Sequence, residues 1–323
     1  MPECINVGGQ AVIEGVMMRA PRSMTVAVRT PGGEIVMKRD PLTLLSDRFK
    51  FVKWPILRGT ITLFSALALG MKALSFSANC ALEEEDKKDM PADQVCEIAK
   101  EKTNKMSDWA IGGTMVLSVG LGLLLFFYLP LYLTQLMKDI MPLTQSSSIV
   151  FNLVDGVIRI GLFLLYISGI SMMKDIKRVF EYHGAEHKSI FTYEAGEELT
   201  VENARKYPTL HPRCGTSFLL IVMVLSILVF SFIPKESAFY VKALSRLVLI
   251  PLVAGLSYEF IRFSAKKKGN ALINALIQPG LWLQRVTTRE PSDDQLEVAL
   301  AALREALAME NEGKQEVSSC LVS

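Results

Sequence analysis

Four long apolar segments limit this chain to folds that place helices in a lipid bilayer. They occupy residues 109–133, 149–173, 216–234 and 244–263. Each is long enough, as a helix, to cross a hydrocarbon layer of about 30 Å, and a helix satisfies its own backbone polar groups there. Half of the 323 residues are hydrophobic, which is a high share for a soluble chain. The sequence predicts a mainly α-helical polytopic membrane protein with about four transmembrane helices.

Basic residues predict how these helices are oriented. The loops after the first and third segments contain few lysines and no arginine, whereas the connection 174–215 and the stretch after residue 263 are rich in both. Because basic loops remain cytosolic, we expect both termini and the 174–215 loop in the cytosol. The net charge of only +2 gives no reason to expect a nucleic-acid partner.

The first 56 residues predict a small cytosolic β-rich unit built around a hairpin. Apolar residues alternate in MTVAVRT at 24–30, and EIVMKRD at 34–40 follows after a Pro-Gly-Gly turn. Gln10 and Glu14 lie in the apolar stretch before this hairpin. A solvated strand edge is the simplest interpretation of both side chains.

The apolar stretch 54–80 differs from the four segments because it contains Arg58 and Lys72 and has basic clusters on both sides. A spanning helix would place one cluster outside, against the usual charge bias. We therefore expect an interfacial or re-entrant helix, with a charged helical linker up to residue 108.

The C-terminal region predicts two further helices. Residues 270–289 are amphipathic, and Trp282 suits a membrane interface. Ser292 and Gln295 form a capping-box signal for a helix over 293–309, which is followed by a disordered tail. One face of this helix carries Leu296, Leu300, Leu303 and Leu307. That face packs on this chain or on a partner, so a protein partner or homo-oligomer is one expectation. The chain thus divides into regions 1–56, 57–108, 109–263 and 264–323.

All three histidines, His183, His187 and His211, fall in one 29-residue stretch, and Cys214 follows three residues after it. On a helix, residues four apart lie on one face, which places the first two side by side. The HPRC turn then brings the other two to the base of the next transmembrane helix. Imidazole and thiolate together suit a divalent transition metal, with zinc the expected ion.

Two carboxylates are candidate catalytic groups beside this site. Glu186 gives the H-x-x-E-H order in which the glutamate is a general base. Glu259 lies in an apolar helix about one turn from its cytosolic end, where an ionisable group is unfavourable unless paired. A structural pair with Arg262 or Arg246 is one interpretation of Glu259, and a metal ligand or proton carrier is the other.

Asp155 and Arg159 also lie within an apolar segment. They are four residues apart and therefore share one helix face. An intrahelical ion pair is the favoured interpretation.

Three alternatives to a catalytic metal site remain open. The histidines are solvent-exposed loop residues in the first. In the second, four protein ligands close a purely structural site. In the third, Cys214 is a nucleophile beside His211, with a basic neighbour that would lower its pKa.

The sequence also resembles a known family. The strings that carry the resemblance are GGQAVIEGVMMR at 8–19, LRGT at 57–60, YHGAEHK at 182–188, ENARKYPTLHPRCGTSF at 202–218, AGLSYEF at 254–260 and PGLWLQRVTTREPSDDQLEVALAAL at 279–303. Over nearly its whole length the chain resembles the YqhQ-like bacterial membrane proteins, a domain-of-unknown-function family labelled as predicted metal-dependent enzymes. The resemblance implies a protein of the bacterial inner membrane with a cytosolic metal-binding face. It also implies that Gln10, Glu14 and Glu259 belong to the same surface as the histidines.

The leading hypothesis is a metal-dependent, hydrolytic membrane enzyme that acts on an amphiphilic or membrane-associated substrate. The three histidines hold the ion, with Cys214 a fourth ligand or a nearby thiolate. Glu186 is the general base or orients a metal ligand, and Glu259 is an acid or a further ligand. The alternative is a transporter or scaffold without enzymatic activity, in which the metal clamps the 174–215 loop.

Overall fold

The computed structural model describes residues 5–43, 52, 54–82, 108–137, 142–145, 147–266 and 271–320. Its four strands are β1 (Gly8–Val12), β2 (Gly15–Arg19), β3 (Ser23–Arg29) and β4 (Ile35–Pro41). The α-helices within these residues are α1 (Leu57–Leu82), α2 (Asp108–Leu123), α3 (Leu129–Leu136), α4 (Ser148–Ile170), α5 (Lys174–Glu194), α6 (Val201–Arg205), α7 (Gly215–Phe230), α8 (Phe239–Lys266), α9 (Ala271–Thr287) and α10 (Asp293–Cys320). A π-helical turn, Leu124–Tyr128, joins α2 to α3.

Four helices among the described residues are long and apolar enough to cross a membrane: Leu57–Ala81, Val116–Leu136, Ser148–Ile170 and Phe239–Ser264. They confirm the predicted helical architecture. One assignment differs from the sequence analysis. The predicted third span forms α7, which has only 16 residues because Cys214 caps its start and the chain turns after Phe230. Instead, α1 is one of the four helices of membrane-spanning length, although it lies in the stretch expected to be interfacial or re-entrant.

The helix α1 packs on the sheet as well as on another apolar helix. Ala73 and Cys80, in its C-terminal half, share a core with strand residues such as Val26. Near its N-terminus, Gly59 lies so close to α8 that an added Cβ would be 2.6 Å from Cβ of Tyr258. The interfacial placement of this segment stays a prediction. The predicted charged linker at 83–108 lies, except for its last residue, outside the described residues.

The N-terminal strands form an antiparallel meander in the order β1-β2-β3-β4. The predicted hairpin is confirmed as β3 and β4, which pair from Ser23↔Pro41 to Arg29↔Ile35. In its turn, the N–H of Gly33 donates to the carbonyl of Thr30 over 2.9 Å. Gly33 has φ +90°, a left-handed conformation that glycine adopts without steric penalty.

The helix α10 covers the other face of the sheet together with α5. Three of its four predicted leucines are buried there with strand residues such as Val16 and Met18. The capping box is confirmed, because the N–H of Ser292 donates to Gln295 Oε1 over 2.9 Å. The helix continues to Cys320, beyond the expected end at residue 309. The leucine face is thus buried within the chain, and a protein partner for this helix stays a prediction.

A buried polar network joins α4, α7 and α8. The predicted intrahelical pair is confirmed, with 2.7 Å between Arg159 Nη2 and Asp155 Oδ2. The other carboxylate oxygen of Asp155 accepts from Arg246 Nη1, also over 2.7 Å. Arg159 donates further to Ser226 on α7, and Arg246 donates to Asn152 on α4. One carboxylate therefore serves two buried guanidinium groups.

Candidate metal centre

Two helices bring three potential metal ligands together. His183 and His187 lie one turn apart on α5, with ring centroids separated by 4.4 Å. Cys214 is the N-cap residue of α7. One nitrogen from each imidazole and the sulfur of Cys214 all lie within 4.8 Å of one another. We refer to these three residues as the three-donor cluster.

Backbone carbonyls orient both imidazole rings. Nδ1 of His183 lies 2.8 Å from the carbonyl oxygen of Thr287, and Nδ1 of His187 is hydrogen-bonded to the carbonyl of Thr209. Because a carbonyl only accepts, each Nδ1 donates, which leaves Nε2 of each ring as the nitrogen that faces the cluster. Hydrogen bonds of this kind orient the ligating histidines in metal sites. The orientation of both rings therefore suits metal binding through Nε2.

The remaining contacts place these nitrogens around the thiol. His183 Nε2 lies 3.1 Å from Cys214 Sγ. His187 Nε2 is buried and, among the described residues, has no hydrogen bond of ordinary geometry. A tetrahedral zinc ion with bonds of about 2.0–2.3 Å holds its ligand atoms roughly 3.5 Å apart. Small side-chain rotations would bring all three donors onto one such ion.

The first turn of α7 orients the sulfur of Cys214. The sulfur accepts from the backbone N–H of Thr216 over 3.4 Å and lies 3.1 Å from the hydroxyl of the same residue. These contacts hold the sulfur beside the imidazole of His183.

His211 lies next to the three-donor cluster but is held differently. Its ring centroid is 5.6 Å from that of His187, and its Nε2 is 3.6 Å from a carboxylate oxygen of Glu194. The side-chain amide of Gln284 on α9 bonds both the N–H and the carbonyl of His211, each over 2.8 Å. The described residues thus place three of the four predicted ligands in one group, and a ligand role for His211 stays a prediction.

Glu186 is buried between α5 and the first strand. A Cβ added at Gly9 of β1 would lie 2.8 Å from Cγ of Glu186. Burial raises the pKa of this carboxyl above its ordinary value, and the neighbouring His183 and His211 and the N–H of Gly9 oppose that rise. A carboxyl with a raised pKa beside potential metal ligands suits proton transfer.

Glu14 links the sheet to the helix that carries the histidines. It lies in the β1–β2 turn at φ 51°, and its carboxylate is hydrogen-bonded to Arg178 of α5. The hydroxyl of Tyr182, which precedes His183, also donates to it over 3.4 Å. These contacts give Glu14 a positioning role for α5.

The other two predicted site residues contact α1. A Cβ added at Gly70 of α1 would lie 2.3 Å from Oε1 of Gln10. Glu259 accepts from Arg58 Nε over 2.6 Å, and its second oxygen is bonded to the same guanidinium. Glu259 therefore forms an ion pair, but its partner is Arg58 of α1 rather than Arg262 or Arg246 of α8. Neither residue joins the three-donor cluster.

Gly184 permits the close packing that supports His183. The backbone N–H of Arg289 donates to the carbonyl of Phe180 on α5 over 2.9 Å. A Cβ added at Gly184 would lie 2.1 Å from the carbonyl oxygen of Arg289. This contact holds the end of α9, including the carbonyl of Thr287, against α5.

Gly184→Ala is therefore expected to destabilise the protein by about 1–3 kcal/mol, because it overpacks this contact, and to weaken metal binding. Gly161→Ala is a matched control, since a Cβ at Gly161 meets nothing within 4 Å. Thermal unfolding in detergent and zinc titration would measure both effects. Identical behaviour of the two variants would contradict the positioning role of this contact.

These observations define a mainly helical protein of membrane type with a partly buried cluster of two histidines and one cysteine. The chain belongs to the family described as "Protein of unknown function (DUF1385)", which matches residues 54–309. It is 34% identical over 304 residues to "Uncharacterized protein YqhQ" of Bacillus subtilis (strain 168), covering 94% of this chain and 92% of that protein. No solved structure matches the chain. The family resemblance is thereby confirmed.

Proposed function

We propose that the protein is a metal-dependent membrane enzyme of hydrolytic type, with a zinc ion or a similar divalent metal held by the three-donor cluster. One observation carries this proposal: two imidazoles, each oriented by a carbonyl at Nδ1, converge with a helix-capping cysteine. Three protein ligands are typical of catalytic sites, where a fourth position accepts water or substrate. Zinc bound there would acidify a coordinated water and polarise a carbonyl or phosphoryl oxygen.

The chain supplies candidates for proton transfer close to these ligands. Glu186 follows His183 by three residues and precedes His187, and its carboxyl is buried. It is the proposed general base. His211 faces Glu194 across 3.6 Å, so this pair offers a second route for a proton. Proton transfer by a positioned side chain typically contributes 10²–10⁴-fold to the rate.

The same donors support a second candidate function, a structural clamp in a transporter or scaffold. The ring of His211 lies near that of His187, so His211 is a candidate fourth ligand. Four protein ligands would leave no position for substrate. The loop between α5 and α7 would then be fixed in place without any chemistry.

Glu186→Gln distinguishes the two functions. We expect this variant to keep its fold and bound metal while turnover falls at least about 100-fold, because the general base is lost. Glu202→Gln is the control, since Glu202 is an exposed carboxylate on α6. The measurement is product release from a total bacterial lipid extract, followed by mass spectrometry. A parent protein that holds metal but changes no component of the extract would favour the clamp, as would full activity in Glu186→Gln.

A further inference from the structure

An apolar groove of about 300 Å³ runs along α7 where α8 and α9 pack on it. Its α7 wall consists of Ser217, Leu220, Ile221, Val224, Leu225 and Leu228. These positions recur three and four residues apart and therefore form one stripe on the helix. At a rise of 1.5 Å per residue the stripe is roughly 16 Å long. Its only polar side chain is the first, so the groove is polar at one end and apolar along the rest.

The polar end of the groove adjoins the three-donor cluster. Ser217 lies one helical turn after Cys214, and its N–H donates to the Cys214 carbonyl over 3.2 Å. Its hydroxyl accepts from Nε2 of Gln284 over 3.0 Å, and Gln284 also holds the backbone of His211. A molecule lying in the groove would thus present its polar end to the candidate metal centre.

The apolar end of the groove is open to the outside of the protein. Val224 and Leu228 are 49% and 59% exposed, on a strongly apolar helix. At the other end, α9 approaches α7 closely: a Cβ added at Gly280 would lie 2.8 Å from Cβ of Ser217. An occupant would therefore enter from the hydrocarbon layer of a membrane.

Exposed arginines lie close in sequence to the α8 and α9 residues that line the groove. Arg262 follows the lining residue Phe260 on α8, and Arg285 and Arg289 follow Pro279 and Gly280 of α9. Arg285 is exposed on α9, as is Trp282 at 56%, a side chain suited to the headgroup level of a bilayer. Clusters of lysine and arginine at this level attract anionic lipids.

We infer that the groove binds one acyl chain of an anionic phospholipid, with the headgroup region at the three-donor cluster. This inference rests on the proposed function and names its substrate class. The apolar stripe recognises the chain, the exposed arginines Arg262, Arg285 and Arg289 favour a negative headgroup, and the polar end of the groove aligns the molecule with the metal ligands.

Photolabelling of the full-length protein tests this inference directly. The protein is placed in phosphatidylcholine nanodiscs with a trace of phosphatidylglycerol that carries a diazirine on one acyl chain. We expect labelled peptides to come mainly from residues 217–228 and 275–280. Added unlabelled phosphatidylglycerol should lower this labelling at least fivefold. Even labelling over all apolar helices, or equal labelling by a diazirine-bearing phosphatidylcholine, would overturn the inference.

Two matched variants locate the chain within the groove. Val224→Trp fills the groove and should lower the labelling at least fivefold. Leu219→Trp is the control, because Leu219 is similarly exposed, at 45%, but lines a different cavity of α7. Labelling that persists in the first variant, or falls equally in both, would contradict the assignment.

Lipid binding in the groove and metal-dependent activity can be tested separately. Labelling requires no bound metal, so a parent protein without metal would contradict only the proposed function. The competition experiment uses the parent protein and does not depend on the folding of a variant.

Discussion

Asp155→Leu is expected to destabilise the protein by about 3–5 kcal/mol, because it leaves two buried guanidinium groups without their counter-ion. The side chains of Asp155, Arg159 and Arg246 are 2%, 5% and 1% exposed. Each arginine lies 2.7 Å from a different oxygen of the one carboxylate. Without the carboxylate, the positive charges of Arg159 on α4 and Arg246 on α8 would repel each other in an apolar environment.

The remaining contacts of the two arginines do not replace this charge. Both guanidinium groups lie over the ring of Phe230, at 5.1 and 5.4 Å from its centroid. Cation–π contacts of this kind contribute about 2 kcal/mol when desolvated, and a neutral ring carries no counter-charge. Arg159→Leu should therefore be less harmful than Asp155→Leu, since the carboxylate keeps Arg246.

Unfolding in detergent, followed by circular dichroism, would measure this order of stability. Asp175→Leu is the control, because Asp175 is an exposed acid at the start of α5. If Asp155→Leu and Asp175→Leu unfolded under the same conditions, the network would not stabilise the helices.

His187→Ala is expected to lower zinc affinity by more than about 100-fold. Loss of a hydrogen-bonding partner behind a metal ligand alone costs roughly 10–100-fold, and this change removes a ligand itself. Cys214→Ser should have a similar effect, because zinc binds a thiolate far better than a hydroxyl. The measurement is competition against a fluorescent zinc chelator with the full chain in detergent.

His211→Ala provides the comparison that separates three ligands from four. His211 is held by Gln284 and faces Glu194 rather than the cluster, so this variant should keep most of the affinity. A loss as large as that of His187→Ala would show a closed four-ligand site and would favour the clamp. Equal affinities of all three variants and the parent would contradict the metal centre altogether.

Local features of the fold could be predicted from the sequence because their signals lie within a few residues. The Pro-Gly-Gly turn marks the β3–β4 hairpin, and Ser292 with Gln295 marks the start of α10. Spacing alone placed His183 and His187 side by side and paired Asp155 with Arg159.

Contacts between distant segments could not be predicted in this way. Arg58 and Glu259 are 201 residues apart, and neither sequence context identifies the other. The carbonyls of Thr209 and Thr287 orient the histidines, but every residue has a carbonyl, so residue type carries no signal for this role. The role of Gly184 could not be predicted for a similar reason, because it depends on the close contact with the carbonyl of Arg289.

The sequence also could not predict that the N-terminal sheet and α10 pack on each other. The leucine face of α10 was recognised, but the amphipathic pattern does not specify which surface it covers. In the structure that surface is the N-terminal sheet with α5. The sheet and α10 thereby help to position the helix that carries two of the metal ligands.

Metal analysis of the purified full-length protein tests whether the three-donor cluster holds a metal ion. The protein is expressed with zinc in the medium, purified in detergent and measured by inductively coupled plasma mass spectrometry beside the His183→Ala, His187→Ala double variant. We expect about one ion per chain in the parent, as for a single site, and almost none in a folded double variant. A parent protein without metal, or a double variant that retains it, would show that the three-donor cluster is not a metal site.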